Sequence, residues 1–171
     1  MPASVLIVDD EKNILLTLQT SLQLAGYHVE LAAHGQVALD VVSARPVDVV
    51  LMDVRMPVLD GLEATRRILA HAPGTRVLVL TTFDDDALLS RALRAGAAGF
   101  ILKDSPAEAL IWAVRAVVRD GAFLDPAVTE RVLHGFRRSG REQVSTVPGL
   151  TDRETDVLRR ADDQPARDEP G

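Results

Sequence analysis

The chain has 171 residues, 26% of them charged, with 25 acidic against 19 basic side chains and a formal net charge of −6. That length suffices for one domain with a full hydrophobic core and part of a second, and the acidic balance argues against a nucleic-acid surface spread over the whole molecule, while leaving room for a local basic patch. Without cysteine there is neither a disulfide framework nor a thiolate metal site, and without a long apolar run or a signal-like start at Met1–Ser4 the expectation is a soluble, cytoplasmic protein with no membrane attachment.

Ser4–Val8 is a short β-branched apolar run that stops at Asp9-Asp10-Glu11, the pattern of a buried parallel strand with carboxylates at its exit. Ile14, Leu15, Leu18, Leu22 and Ala25 then recur at helical spacing, and Gly26 supplies a C-terminal cap. Tyr27–Ala32 reads as a second strand and His34–Ala44 as a helix closed by Arg45-Pro46. Val47–Asp53 is the centre of the pattern. Val49, Val50, Leu51 and Met52 run without alternation, as in a strand covered by helices on both faces, and Asp53 ends it at the carboxyl edge, where open α/β sheets bind ligands. Asp53 is therefore the candidate reactive residue.

The alternation continues beyond it. Pro57 and Asp60-Gly61 shape a loop before a helix reaching about Ala70, Arg76–Leu80 is a strand ending at Thr81-Thr82, and Asp84–Asp86 predicts the cap of a helix carrying Leu88, Leu89 and Leu93. Gly99–Leu102 is a fifth strand, stopped by Lys103. Ser105-Pro106-Ala107-Glu108 predicts a capping box opening a helix with Leu110, Ile111, Val114, Val117 and Val118, which Gly121 closes. The fold class is α/β: a doubly wound, five-stranded parallel sheet, for which right-handed crossovers leave few orders, the flavodoxin-like 2-1-3-4-5 among them. Residues 1–121 form this domain. Residues 122–149 read as a linker helix from Asp125-Pro126, with Val128, Val132, Leu133 and Phe136, and a polar linker; in 150–171 a capping box at Leu150–Glu154 precedes a tail expected to be disordered.

In the order 2-1-3-4-5 the first and third strands are neighbours, so Asp9 and Asp10 converge on Asp53. Carboxylates that close repel one another, and a hard divalent cation with oxygen ligands, Mg²⁺ above all, is an ordinary remedy. Lys103 and Thr81 end the neighbouring strands and add a positive charge and a hydroxyl donor to the same rim. That set suits an incoming phosphoryl group attacked by the Asp53 carboxylate.

Val-Asp9-Asp10-Glu, Leu-Met-Asp53-Val-Arg-Met-Pro57-Val-Leu-Asp-Gly61, Leu-Thr81-Thr and Gly-Phe100-Ile-Leu-Lys103-Asp together resemble the receiver domain of bacterial two-component response regulators, CheY-like in fold, over about residues 4 to 121. Phe83–Asp86, Lys103-Asp104-Ser105 and Leu150-Thr151-Asp-Arg-Glu154 narrow the resemblance to the NarL/FixJ type, whose output is a LuxR-type helix-turn-helix. The resemblance implies phosphorylation of Asp53 by a cognate sensor histidine kinase, Mg²⁺ held by Asp10 and Asp53 directly, by Asp9 through water and by the backbone carbonyl of Arg55, and Lys103 paired with the phosphoryl group. It implies a switch pair, Thr81 and Phe100, a homodimer on activation, and DNA binding only through a complete C-terminal domain. Such a regulator is a phosphoacceptor that catalyses at most its own phosphorylation and dephosphorylation. A LuxR-type domain needs roughly sixty residues, and 22 remain from Leu150, so this chain is expected to hold only its start. The alternative is a receiver-only interaction module or phosphate sink without DNA binding. Thr82 stands where many receivers have a smaller residue, and Asp104 where many have the proline of Lys-Pro.

Each residue also has a plainer reading. Asp9-Asp10 can be a helix N-cap pair, Phe100 core and Thr81 a strand end; their registry with Asp53 and Lys103 favours function. The acidic run Asp84–Asp86 reads as a cap, Trp112 as packing, and His28, His34, His71 and His134 show no ligand-like spacing.

Overall fold

The computed structural model describes residues 1–82, 86–126, 128–131, 133–134 and 137–138. Its elements in chain order are β1 (Ser4–Val8), α1 (Lys12–Leu24), β2 (His28–Ala32), α2 (Gly35–Ala44), β3 (Val49–Asp53), α3 (Gly61–His71), β4 (Arg76–Thr81), α4 (Asp86–Arg94), β5 (Gly99–Leu102), α5 (Ala107–Asp120) and β6 (Phe123–Leu124). The sheet order is β2-β1-β3-β4-β5-β6 and every neighbouring pair is parallel. This is the doubly wound, flavodoxin-like arrangement expected from the sequence, with one strand more.

Both faces of the sheet are covered, which is why its inner strands are apolar along most of their length. Leu6, Val8, Val50, Met52, Val77, Val79, Phe100 and Leu102 point into one core layer, shared with Ala38 and Val42 of α2, Ile68 of α3 and Leu89 of α4. The alternate residues Val5, Ile7, Val49, Leu51, Leu78, Leu80 and Ile101 point the other way, against Leu15 and Leu22 of α1 and Leu110, Val114 and Val117 of α5. A strand buried on both sides gains nothing from polar alternation.

The five-stranded expectation is corrected to six. Phe123 and Leu124 pair in parallel with Gly99 and Phe100, and Phe123 is buried. Gly99 makes this close approach possible, since a Cβ there would lie 1.7 Å from the Phe123 carbonyl oxygen. Compactness also runs past Gly121: one unit spans Met1–Val132, with Val128 of the helical turn beyond β6 fully buried, and a second spans Leu133–Gly171. In that second unit the described residues, Leu133, His134, Arg137 and Arg138, are helical. The readings of Phe83–Asp85, of Val132 and Phe136, of the polar linker and of the LuxR-type start and tail lie outside the described residues.

Two local expectations give way to tertiary contacts. β3 begins at Val49 rather than Val47, because the Asp48 carboxylate turns aside to accept the Ser4 N–H at 2.7 Å and its hydroxyl at 3.1 Å. The capping box at α5 does not form: the N-cap position is Pro106, with no side-chain bond, and the Ser105 hydroxyl instead donates to the Asp125 carboxylate at 3.4 Å. α3, by contrast, is capped as its sequence suggests, Asp60 accepting from the N–H groups of Leu62 and Glu63 at 2.9 and 3.0 Å.

Gly99→Ala is expected to destabilise the domain by about 1–3 kcal/mol, because the added methyl displaces β6 from the sheet. Urea unfolding monitored by circular dichroism checks this, and a variant of wild-type stability would contradict the close packing of β5 on β6.

Candidate functional site

Parallel register puts the acidic residues together. Val8 pairs with Met52 on adjacent strands, so Asp9 and Asp53, the next residues of each, leave the sheet side by side. Asp9 is fully buried, Asp53 is 5% exposed and Asp10 faces solvent. Carboxylate oxygens from these three residues lie within 4.8 Å of one another. A cluster of hard oxygen donors, part buried and part open to water, fits a divalent cation that keeps some of its hydration, as Mg²⁺ does.

Lys103 faces them from the end of β5, its backbone N–H donating to the Thr81 carbonyl at 2.9 Å. Its ammonium Nζ lies 2.9 Å from Asp9 Oδ2, 3.1 Å from Asp53 Oδ1 and 3.6 Å from Glu11 Oε1. Burial pushes the Asp53 carboxyl above its ordinary value; the Lys103 charge and hydrogen bond and the Arg55 N–H pull it down, and the Asp9 charge adds to the upward push. For Lys103 burial is the largest single influence and disfavours the charge, yet hydrogen bonds and charges from Asp9 and Asp53 together outweigh it and raise its pKa. One ammonium is thus held among carboxylates, of which Asp53 is the one that burial drives toward protonation.

The other expected residues sit as follows. Thr81 is buried one residue beyond Leu80, the register partner of Asp53, and its hydroxyl donates to the Thr82 carbonyl at 2.9 Å. Phe100 is fully enclosed in the core. Arg55 presents its N–H to the Asp53 carboxylate, and its carbonyl, the expected cation ligand, belongs to the next peptide unit. The loop carrying it also holds Val58, exposed and at φ +71°, a left-handed conformation that is costly for a β-branched residue. Glu11 was legible only as part of the acidic stop after β1. Its one advance signal is its position directly behind the Asp9-Asp10 pair.

The fold and this rim define a signalling receiver of the CheY-like class. Residues 5–115 match the model of the response regulator receiver domain, and the chain belongs to that family. It is 36% identical to the transcriptional regulatory protein LnrK of Bacillus subtilis (strain 168), over 90% of this chain and 74% of that protein. It is 37% identical to the transcriptional regulatory protein DegU of Brevibacillus brevis, over 73% of this chain and 59% of that protein. A two-component response regulator of the LuxR family from Aurantimonas sp. SI85-9A1 superposes with a TM-score of 0.73 at 26% identity, covering 80% of this chain and 99% of that one. The chain is therefore a response regulator receiver of two-component systems whose relatives are transcriptional regulators. Among the described residues no helix is long and apolar enough to cross a membrane.

Two outcomes follow from the charge balance. Lys103→Met leaves two buried carboxylates without their cation and should cost about 2–4 kcal/mol at neutral pH, part of it recovered in millimolar magnesium if the rim binds the ion; thermal unfolding with and without Mg²⁺ tests both. Because the folded-state pKa of Asp53 is raised, its ionised form opposes folding above that pKa, and the opposition fades as pH falls through it. Asp53→Asn should therefore be more stable than wild type at neutral pH, with the gap closing on acidification. A gap that widens on acidification would contradict the burial argument.

Proposed function

We propose that Asp53 accepts a phosphoryl group from the phosphohistidine of a cognate sensor histidine kinase, and that the loaded receiver controls transcription through a LuxR-type DNA-binding domain. The observation that carries this reading is the ion-paired group Asp9–Lys103–Asp53 at the carboxyl ends of β1, β3 and β5. An Asp53 oxygen attacks phosphorus, a P–O bond forms, the P–N bond breaks, and the imidazole leaves with the electron pair and takes a proton. Lys103 follows the transferred charge, moving its hydrogen bond from the Asp53 carboxylate to a phosphoryl oxygen. Asp10 and Asp53, Asp9 through water, and the Arg55 carbonyl would hold Mg²⁺, which when bound neutralises phosphoryl oxygens.

Thr81 is the second reporter of loading. Its hydroxyl trades the Thr82 carbonyl for a phosphoryl oxygen, and the buried Phe100 ring secures the space vacated below it. The altered surface favours a homodimer. The receiver takes in β6 and Val128 as well as residues 1–121, the following residues up to 149 serve as linker, and 150–171 open the DNA-binding domain, so DNA contact belongs to a complete C-terminal domain and not to the receiver. The protein acts in the cytoplasm, as an acceptor that turns over only its own phosphoryl group. A receiver-only interaction module or phosphate sink without DNA binding is the alternative.

Incubation with Mg²⁺ and acetyl phosphate should add one phosphoryl group to the wild-type chain and none to Asp53→Asn, read by intact-protein mass. Equal labelling of the two would refute Asp53 as acceptor. Saturable, sequence-specific DNA binding by this chain in a gel shift would reject the alternative.

A further inference from the structure

The Lys103 ammonium has a third carboxylate at hand that the reading above leaves without a task. Glu11 Oε1 lies 3.6 Å from Lys103 Nζ, on a side chain 63% exposed at the mouth of the rim. Glu11 occupies the N-cap position of α1, yet its side chain makes no capping hydrogen bond. Its place in the chain is fixed by backbone groups: its N–H donates to Asp9 Oδ1 at 2.9 Å, and its carbonyl accepts from the Leu15 N–H at 3.1 Å. The side chain is thus free of the helix and directed to the lysine.

We propose that Glu11 is a positioning residue for phosphoryl acceptance: its carboxylate draws the Lys103 ammonium toward the mouth of the rim, sets a negative charge beside the entry path of an anionic phosphodonor, and so restrains loading of Asp53. This inference rests on Asp53 being the acceptor. An ammonium has three N–H groups; here Asp9 and Asp53 lie within hydrogen-bond distance at 2.9 and 3.1 Å, and Glu11 adds an ion-pair contact at 3.6 Å. A phosphoryl group on Asp53 needs the same donor, so every interaction Glu11 makes with Lys103 is one the loaded state must give up. Glu11 is exposed, so its influence is screened by salt, whose Debye length is about 8 Å at physiological ionic strength. The size expected of such a pair is a rate change of about two- to five-fold.

The test compares the wild-type chain, Glu11→Gln and Glu11→Asp for the initial rate of Asp53 loading by acetyl phosphate in Mg²⁺, at low and high ionic strength. Glu11→Gln should load about two- to five-fold faster at low salt, with the advantage lost near 1 M salt, and Glu11→Asp should fall between the two. A helix-capping role would give neither the salt dependence nor that order, since aspartate is the better cap. A second readout needs no phosphodonor. The chain has two lysines, Lys12 and Lys103, so ¹³Cε-lysine labelling gives two signals, assigned with Lys103→Arg; Glu11→Gln should displace the Lys103 signal and Glu63→Gln on α3 should not. A loaded wild type with an unchanged Glu11→Gln rate overturns the inference alone. A folded wild type that is not loaded overturns the acceptor assignment and the inference together.

Discussion

Two carboxylates taken out of water at the ends of adjacent parallel strands are the constraint on which this structure turns. Asp9 is fully buried and Asp53 nearly so, and for Asp53 burial disfavours the charge. The Lys103 ammonium, at 2.9 and 3.1 Å, makes the pair tenable. Its own burial would lower its pKa, and the two carboxylates reverse that. The ammonium thus offsets the mutual repulsion of the two carboxylates, and removing it would leave two like charges unbalanced in a partly dry site.

The rest of the domain fixes where these charges stand. β1 and β3 must be parallel neighbours in a set register for Asp9 and Asp53 to emerge together, and β5 must end two strands away for the long lysine side chain to reach back. Two apolar layers, with α2, α3 and α4 on one side and α1 and α5 on the other, hold that register. Slipping a strand by one residue would exchange the two layers along it. The geometry of the charged rim is thus specified by packing that takes no part in it.

Much of this was legible because strand ends are sharp in the sequence. Ser4–Val8, Val49–Met52 and Gly99–Leu102 each stop at a charged residue, and the uninterrupted apolar runs announce a sheet covered on both faces. What was not legible depends on contacts between distant residues. β6 is two residues long, too short for any periodicity, and exists because Gly99 admits the Phe123 backbone. Ser105 looked like a cap but is drawn to Asp125, which stands near it only after the chain has passed through α5 and β6. Glu11 could be placed at a helix start from its neighbours, yet its approach to Lys103 is visible only in three dimensions.

The most direct test of Asp53 as the phosphoacceptor is chemical localisation of the acyl phosphate. Borohydride reduces an aspartyl phosphate to homoserine with loss of phosphate, so treating the loaded protein and sequencing its peptides by mass spectrometry marks the residue that carried the group. Homoserine at position 53, with Asp9 and Asp10 unaltered, is the predicted result. Homoserine at either of those positions, or none anywhere in a protein that had gained a phosphoryl group, would contradict the assignment.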